Sequence, residues 1–157
     1  MGKAIEIQSP NPIPLTKDLK VFLGGSIEMG KAINWQKELI ERLKDEPIVF
    51  LNPRRNDWDS TWTQEITNPQ FKEQVEWELK GLELADVVVM VFDPNTMSPI
   101  SLLELGLNAH CNCMVVMCPE GFWRKGNVDI VCARYNVAQV NNLDELVSHI
   151  YKELENN

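Results

Sequence analysis

Two carboxylates stand where helical periodicity calls for apolar side chains. Glu104 lies in SPISLLELG (98–106), which opens an otherwise apolar helix: Ile100, Leu102, Leu103, Leu105, Leu107 and Ala109. Ser98 and Pro99 read as a cap followed by proline at the first helical position. Ser101, Glu104 and Asn108 then form one polar stripe. Glu78 interrupts a second helix. At about 100° per residue, Phe71, Val75, Glu78 and Leu82 share a narrow arc. Glu73, Glu76 and Glu83 have no such address and read as solvated. Burying a carboxylate is costly unless it is paired or hydrogen-bonded. Two carboxylates aimed at one crevice push their pKa values apart, giving one ionised nucleophile and one proton carrier. Helical phase leaves the alternatives open. The 101–104–108 stripe serves equally to face water, and Glu78 serves equally to pair with Arg54 or Arg55.

The elements that must position these groups alternate along the chain. KVFLG (20–24), IVFL (48–51), VVVMVF (87–92), CMVVMC (113–118) and VAQV (137–140) read as strands. Residues 29–44, 70–84, 99–110, 127–133 and 143–155 read as helices, and Ala4 to Ile7 adds a minor strand. Strands alternating with helices form right-handed crossovers and a parallel sheet. Near-continuous apolar strands indicate burial on both faces. The expected fold is α/β: one domain over residues 1–157, with a doubly wound, five-stranded parallel sheet, flavodoxin-like or Rossmann-like, in the order 2-1-3-4-5. Its ligand crevice lies at the carboxyl ends of the strands, where the order reverses. GGSIEMG (24–30), NPRRNDWD (52–59) and DPNTMSP (93–99) meet there.

Composition narrows the classes. The chain of 157 residues carries a net charge of −8, which argues against a nucleic-acid or anionic-membrane surface. No basic flank precedes an apolar N-terminal run, and no window approaches a membrane span of about 18 apolar residues. Cys111, Cys113, Cys118 and Cys132 lack zinc spacing and read as free thiols in a reducing cytoplasm.

VFLGGSI (21–27), ELKGLELADVVVMVF (78–92) and LLELG (102–106), in that order, resemble the nucleoside 2-deoxyribosyltransferase family, which includes the 2-deoxynucleoside 5′-monophosphate N-glycosidases. The resemblance covers residues 20–118. It implies that Glu104 attacks C1′ of the deoxyribose, releases the base and forms a covalent glycosyl-enzyme. A second base, or water, then takes the sugar. Glu78 stands where the family has an Asp that handles the base's proton. Phe22 replaces a Tyr whose hydroxyl orients the nucleophile, and Tyr135 is a candidate substitute. Transfer between bases is the first expectation, monophosphate hydrolysis the second, and a non-catalytic nucleotide-binding protein the third. No cofactor or metal is implied.

The same resemblance assigns the loops. Gly24, Gly25 and Ser26, with Ser98, are candidates for substrate contact, Ser98 matching a serine that binds a 5′-phosphate in the glycosidases. Asp57 and Trp58, or Trp62, are candidates for the base pocket, and Arg54 for a phosphate. Asn127 is the candidate for a residue shared between subunits of a homodimer or homotetramer; as a plain helix cap it has an equally simple reading. The partners implied are a deoxynucleoside or deoxynucleotide and a free base. His110 and His149 read as structural or surface residues.

Overall fold

The computed structural model describes residues 2–26, 34–55, 59 and 61–157. Its order is β1 (Ile5–Gln8), β2 (Leu19–Gly25), α1 (Trp35–Arg42), β3 (Ile48–Asn52), α2 (Pro69–Leu84), β4 (Val87–Val91), α3 (Pro99–Asn108), β5 (Met114–Met117), α4 (Lys125–Arg134), β6 (Ala138–Val140) and α5 (Leu143–Glu155). All pairings are parallel. The sheet has six strands in the order β1-β3-β2-β4-β5-β6, which corrects the expected five. The added strand is the one from the N-terminus. Ile5 to Gln8 register against Val49 to Asn52 and extend the sheet beyond β3, while the other strands keep their relative order.

The central strands are buried on both faces, as their unbroken apolar runs require. Val21, Leu23, Val87, Val89 and Val91 face one core with Trp35 and Leu39 of α1 and Leu146 and Ile150 of α5. Phe22, Val88 and Met90 face the other core with Trp77 of α2, Leu105 of α3 and Val128 of α4. The order reverses at β2, which lies between β3 and β4, so the crevice opens beyond Gly25 and Val91. Asparagines start three helices. The side chains of Asn34, Asn68 and Asn142 accept from the backbone N–H of Lys37, Phe71 and Glu145, respectively.

Two details depart from expectation. Val75 of α2 is exposed, and the buried face there is Gln74, Trp77, Gly81 and Leu82. That face turns on Gly81, whose missing Cβ leaves room for the Phe22 ring. Cys111 and Cys113 are joined in a disulfide, not free. The turn after α3 places their Cα atoms 5.3 Å apart, within bridging range. Cys118 and Cys132 are free and buried. Among the described residues no helix is long and apolar enough to cross a membrane.

Candidate active site

The crevice floor is where β2 and β4 end. Ser26 donates its backbone N–H to Val91 O at 2.8 Å, and its Oγ accepts from Asp93 N at 2.8 Å. Ser26 Oγ also lies 2.5 Å from Ser98 Oγ, and Thr96 Oγ1 lies 2.9 Å from Ser26 Oγ and 2.8 Å from Ser98 Oγ. Three buried hydroxyls are thus gathered at the N-terminus of α3, where backbone N–H groups and the helix dipole favour an anion. Ser98 occupies the N-cap position but makes no side-chain cap. Its backbone is left-handed (φ 48°, ψ 52°), which turns the hydroxyl across to Ser26 and away from the helix N–H groups.

Helix α3 then runs with its polar side inward. Ser101 and Glu104 are buried, with Glu104 only 6% exposed. Ile100, Leu103 and Leu107 are 58%, 59% and 59% exposed. The reading in which the polar stripe faces water is overturned: water meets the apolar stripe. Asn108 closes the inner stripe by donating Nδ2 to Glu104 O at 2.9 Å.

Glu78 reaches Glu104 from α2, and Gln74, one turn earlier, fixes it. Gln74 Nε2 donates to Glu78 Oε2 and to Pro53 O, both at 2.9 Å. Its Oε1 accepts from Ser9 Oγ at 2.6 Å and from Arg55 Nη1 at 3.3 Å. Glu78 therefore serves as an acceptor. Its partners are Gln74 and Glu104. Burial raises the pKa of both carboxyls, and the hydrogen bonds from Gln74 and Glu104 partly offset this for Glu78. Glu104 is pushed up to about 9, first by burial, then by the charge of Glu78 and the hydrogen bond to it. The two carboxyls titrate as one coupled pair, and their burial favours a form that keeps a proton.

A family model described as nucleoside 2-deoxyribosyltransferase like matches residues 18–122, more than half of the chain. The chain belongs to that family. A crystal structure of a conserved protein from Enterococcus faecalis V583 shares the fold, with a TM-score of 0.63 at 14% identity, covering 87% of this chain and 99% of that one. No curated protein matches.

In this nucleoside 2-deoxyribosyltransferase-like chain the other candidates scatter. Gly24 and Gly25 lie at the buried end of β2. Arg54 turns toward α1, donating Nη1 to Gln36 Oε1 at 3.4 Å, and burial lowers its pKa. Arg55 turns the other way, 3.7 Å from Glu73 Oε1 and 5.1 Å from the centre of the Trp62 ring, so Trp62 has an arginine partner. Asp57 and Trp58 lie outside the described residues. Asn127 is exposed in the first turn of α4. Tyr135 ends α4 against His110, which follows α3, with ring centres 4.3 Å apart. It has no part in the Glu78–Glu104 pair, which corrects its candidacy as a replacement for the missing hydroxyl. Cys118 and Cys132 are pushed up to about 11 by burial and offer no thiolate nucleophile. Gln74 and Thr96 were not anticipated. Gln74 stands four residues before Glu78, the spacing that brings two helical side chains together.

Proposed function

We propose that this protein cleaves the N-glycosidic bond of 2′-deoxynucleosides and transfers the deoxyribose to another base through a covalent ester on Glu104. The observation that carries this reading is the pairing of Glu78 with the buried Glu104, with Gln74 holding Glu78 in place. The pair contains both things the reaction needs. The proton leaves Glu104 for Glu78, and Glu78 delivers it to the departing base. The electron pair of the C1′–N bond goes to that base. A Glu104 oxygen bonds to C1′ as the bond to nitrogen breaks, and its charge stabilises the oxocarbenium-like centre between them. In the second half, a nitrogen of the incoming base attacks C1′, its proton returns to Glu78, and Glu104 is released. Gln74 keeps Glu78 in place throughout.

A second reading follows from the buried hydroxyls of Ser26, Thr96 and Ser98 at the start of α3. They suit a 5′-phosphate, and with water in place of the second base the enzyme is a 2′-deoxynucleoside 5′-monophosphate N-glycosidase. Incubation with each deoxynucleoside and each 5′-monophosphate, with and without a free base, decides between the two. A new nucleoside formed only with acceptor base supports transfer. Free base from the monophosphates alone supports hydrolysis. No base released from any substrate rejects both readings and leaves a nucleotide-binding protein.

The proton gives the reaction a pH signature. Glu104 has a raised pKa, so the pair keeps its proton up to about pH 9 and loses it above. The kcat is expected to fall about tenfold per unit as pH rises through about 9, because the doubly ionised pair cannot protonate the base. A pH–rate profile that is flat to pH 10.5 rules this proton role out.

The reading extends to a homo-oligomer of this domain, in the cytoplasm. Ile100, Leu103 and Leu107 form an exposed apolar stripe on α3 with no charged residue among them. Trp123 Nε1 donates to Met97 O at 2.8 Å, which adds two further exposed apolar side chains beside its first turn. A second copy covering this stripe would bury it without bringing charges together. Leu103→Glu is expected to convert the oligomer to monomer in sedimentation, with the helical signal unchanged. If wild type sediments as a monomer at all concentrations, the shared-site arrangement is wrong.

A further inference from the structure

Gln36, the second residue of α1, is wholly buried, and its Nε2 has no acceptor among the described residues. Its orientation is set from the other end, since Oε1 accepts from Arg54 Nη1 at 3.4 Å. Trp35 Nε1 beside it also lacks an acceptor. A buried N–H without a partner carries its full desolvation penalty, and such groups persist where a ligand supplies the acceptor. The location fits. Arg54 follows the carboxyl end of β3, with its backbone N–H held by Asn52 Oδ1 at 3.0 Å. The preceding residue, Pro53, offers the carbonyl that fixes Gln74 and, through it, Glu78.

We infer that Gln36 and Arg54 form a specificity site that receives an acceptor oxygen of the substrate on the β3 side of the crevice. This rests on the deoxynucleoside reading above and names the group that the site selects. Gln36 supplies the directed N–H, and the partly buried Arg54 guanidinium, donating to Gln36 Oε1, orients it. The oxygen is a carbonyl on the base edge or an oxygen of the 5′-phosphate.

Gln36→Glu separates these sources. It keeps an oxygen for Arg54 and replaces the unpaired donor by an acceptor. KM and kcat would be measured for 2′-deoxyinosine, whose base edge presents a carbonyl, for 2′-deoxyadenosine, whose edge presents an amine, and for both 5′-monophosphates. If the oxygen is the base carbonyl, KM for deoxyinosine rises at least about tenfold while KM for deoxyadenosine falls, with kcat within about threefold for both. If it is a phosphate oxygen, KM rises at least about tenfold for both monophosphates and for neither nucleoside. KM values that all stay within about threefold, or that all move by one common factor, overturn the inference. Should Gln36→Glu fail to fold, Gln36→Leu removes the donor at similar volume, and the same selective loss of KM for the oxygen-bearing substrates is required. The same compounds would be titrated calorimetrically against the wild type and the variant. If the wild type releases no base at all, the proposed reaction fails, yet these affinities still decide for or against the Gln36 site.

Discussion

Under the proposed reaction, Glu104→Gln is expected to abolish base release, by at least about 10³-fold in kcat, and to leave deoxynucleoside affinity within a few-fold. The amide matches a protonated carboxyl in shape and still donates to Glu78, so the crevice keeps its geometry. It cannot form the ester to C1′. The same substitution stabilises the protein, and the size of the gain depends on pH. Glu104 titrates near its ordinary value of 4.5 when unfolded and near 9 when folded. A raised folded pKa means a contribution present in full below pH 4.5 and lost progressively as pH rises toward 9. Gln does not titrate, so the variant escapes that loss. The expected advantage of the variant is under about 1 kcal/mol at pH 5 and roughly 4–5 kcal/mol at pH 8. For a chain of this size the latter is a rise in Tm of roughly 8–20 °C. Thermal melts of both proteins at the two pH values check this. Equal Tm differences at pH 5 and pH 8 show that Glu104 is not held protonated in the fold. Such a gain on losing a catalytic group is the mark of a side chain kept in place for its chemistry and not for stability.

The sequence carried much of this arrangement, because the features concerned are local. Apolar runs bounded by polar loops locate the strands at the centre of the sheet, and a charged residue in an apolar helical pattern singles out Glu104. What failed was direction. Helical phase places Ser101, Glu104 and Asn108 on one stripe but carries no sign. The rule that apolar faces turn inward assumes that no second molecule covers the helix. On α3 the apolar stripe is outside. Ser98 follows a similar logic. Its cap signature is local, but Ser26, seventy-two residues away in sequence, takes the hydroxyl. Gln36 gives no signal in the sequence. Its unpartnered amide is defined only once the exit of β3 places Arg54 against it. The disulfide depends on the tightness of one turn at Asn112, which no composition argument reaches. Long-range contacts and the unsatisfied groups they leave are the part of a site that pattern cannot show.

The glycine pair at the end of β2 is where backbone geometry and the site meet, and Gly25→Ala has the largest expected effect on folding. Gly25 has φ +128°, a conformation that a side chain strongly disfavours. A Cβ there would also stand 2.0 Å from Val91 O and 2.6 Å from Val91 N, which are backbone atoms of the neighbouring strand. Neither can move without parting β2 from β4, and Ser26 N is bonded to that same Val91 carbonyl. Strain and separation act together, so a loss of at least about 4 kcal/mol is expected, enough to leave little folded protein at 37 °C. Gly24→Ala is the control. Its Cβ would lie 2.9 Å from Met90 Cε, the far end of a flexible side chain, and Gly24 has no positive φ. Methionine repacks readily, so a cost of about 1–2 kcal/mol is expected there. Urea unfolding of both variants measures the difference. If Gly25→Ala costs no more than Gly24→Ala, the close crossing of β2 and β4 is not what demands a glycine, and contact with the substrate becomes the better account of Gly25. If the gap is as large as expected, Gly25 serves the fold first. It then also lets Ser26 turn toward Ser98 and Thr96, whose hydroxyls Ser26 Oγ meets.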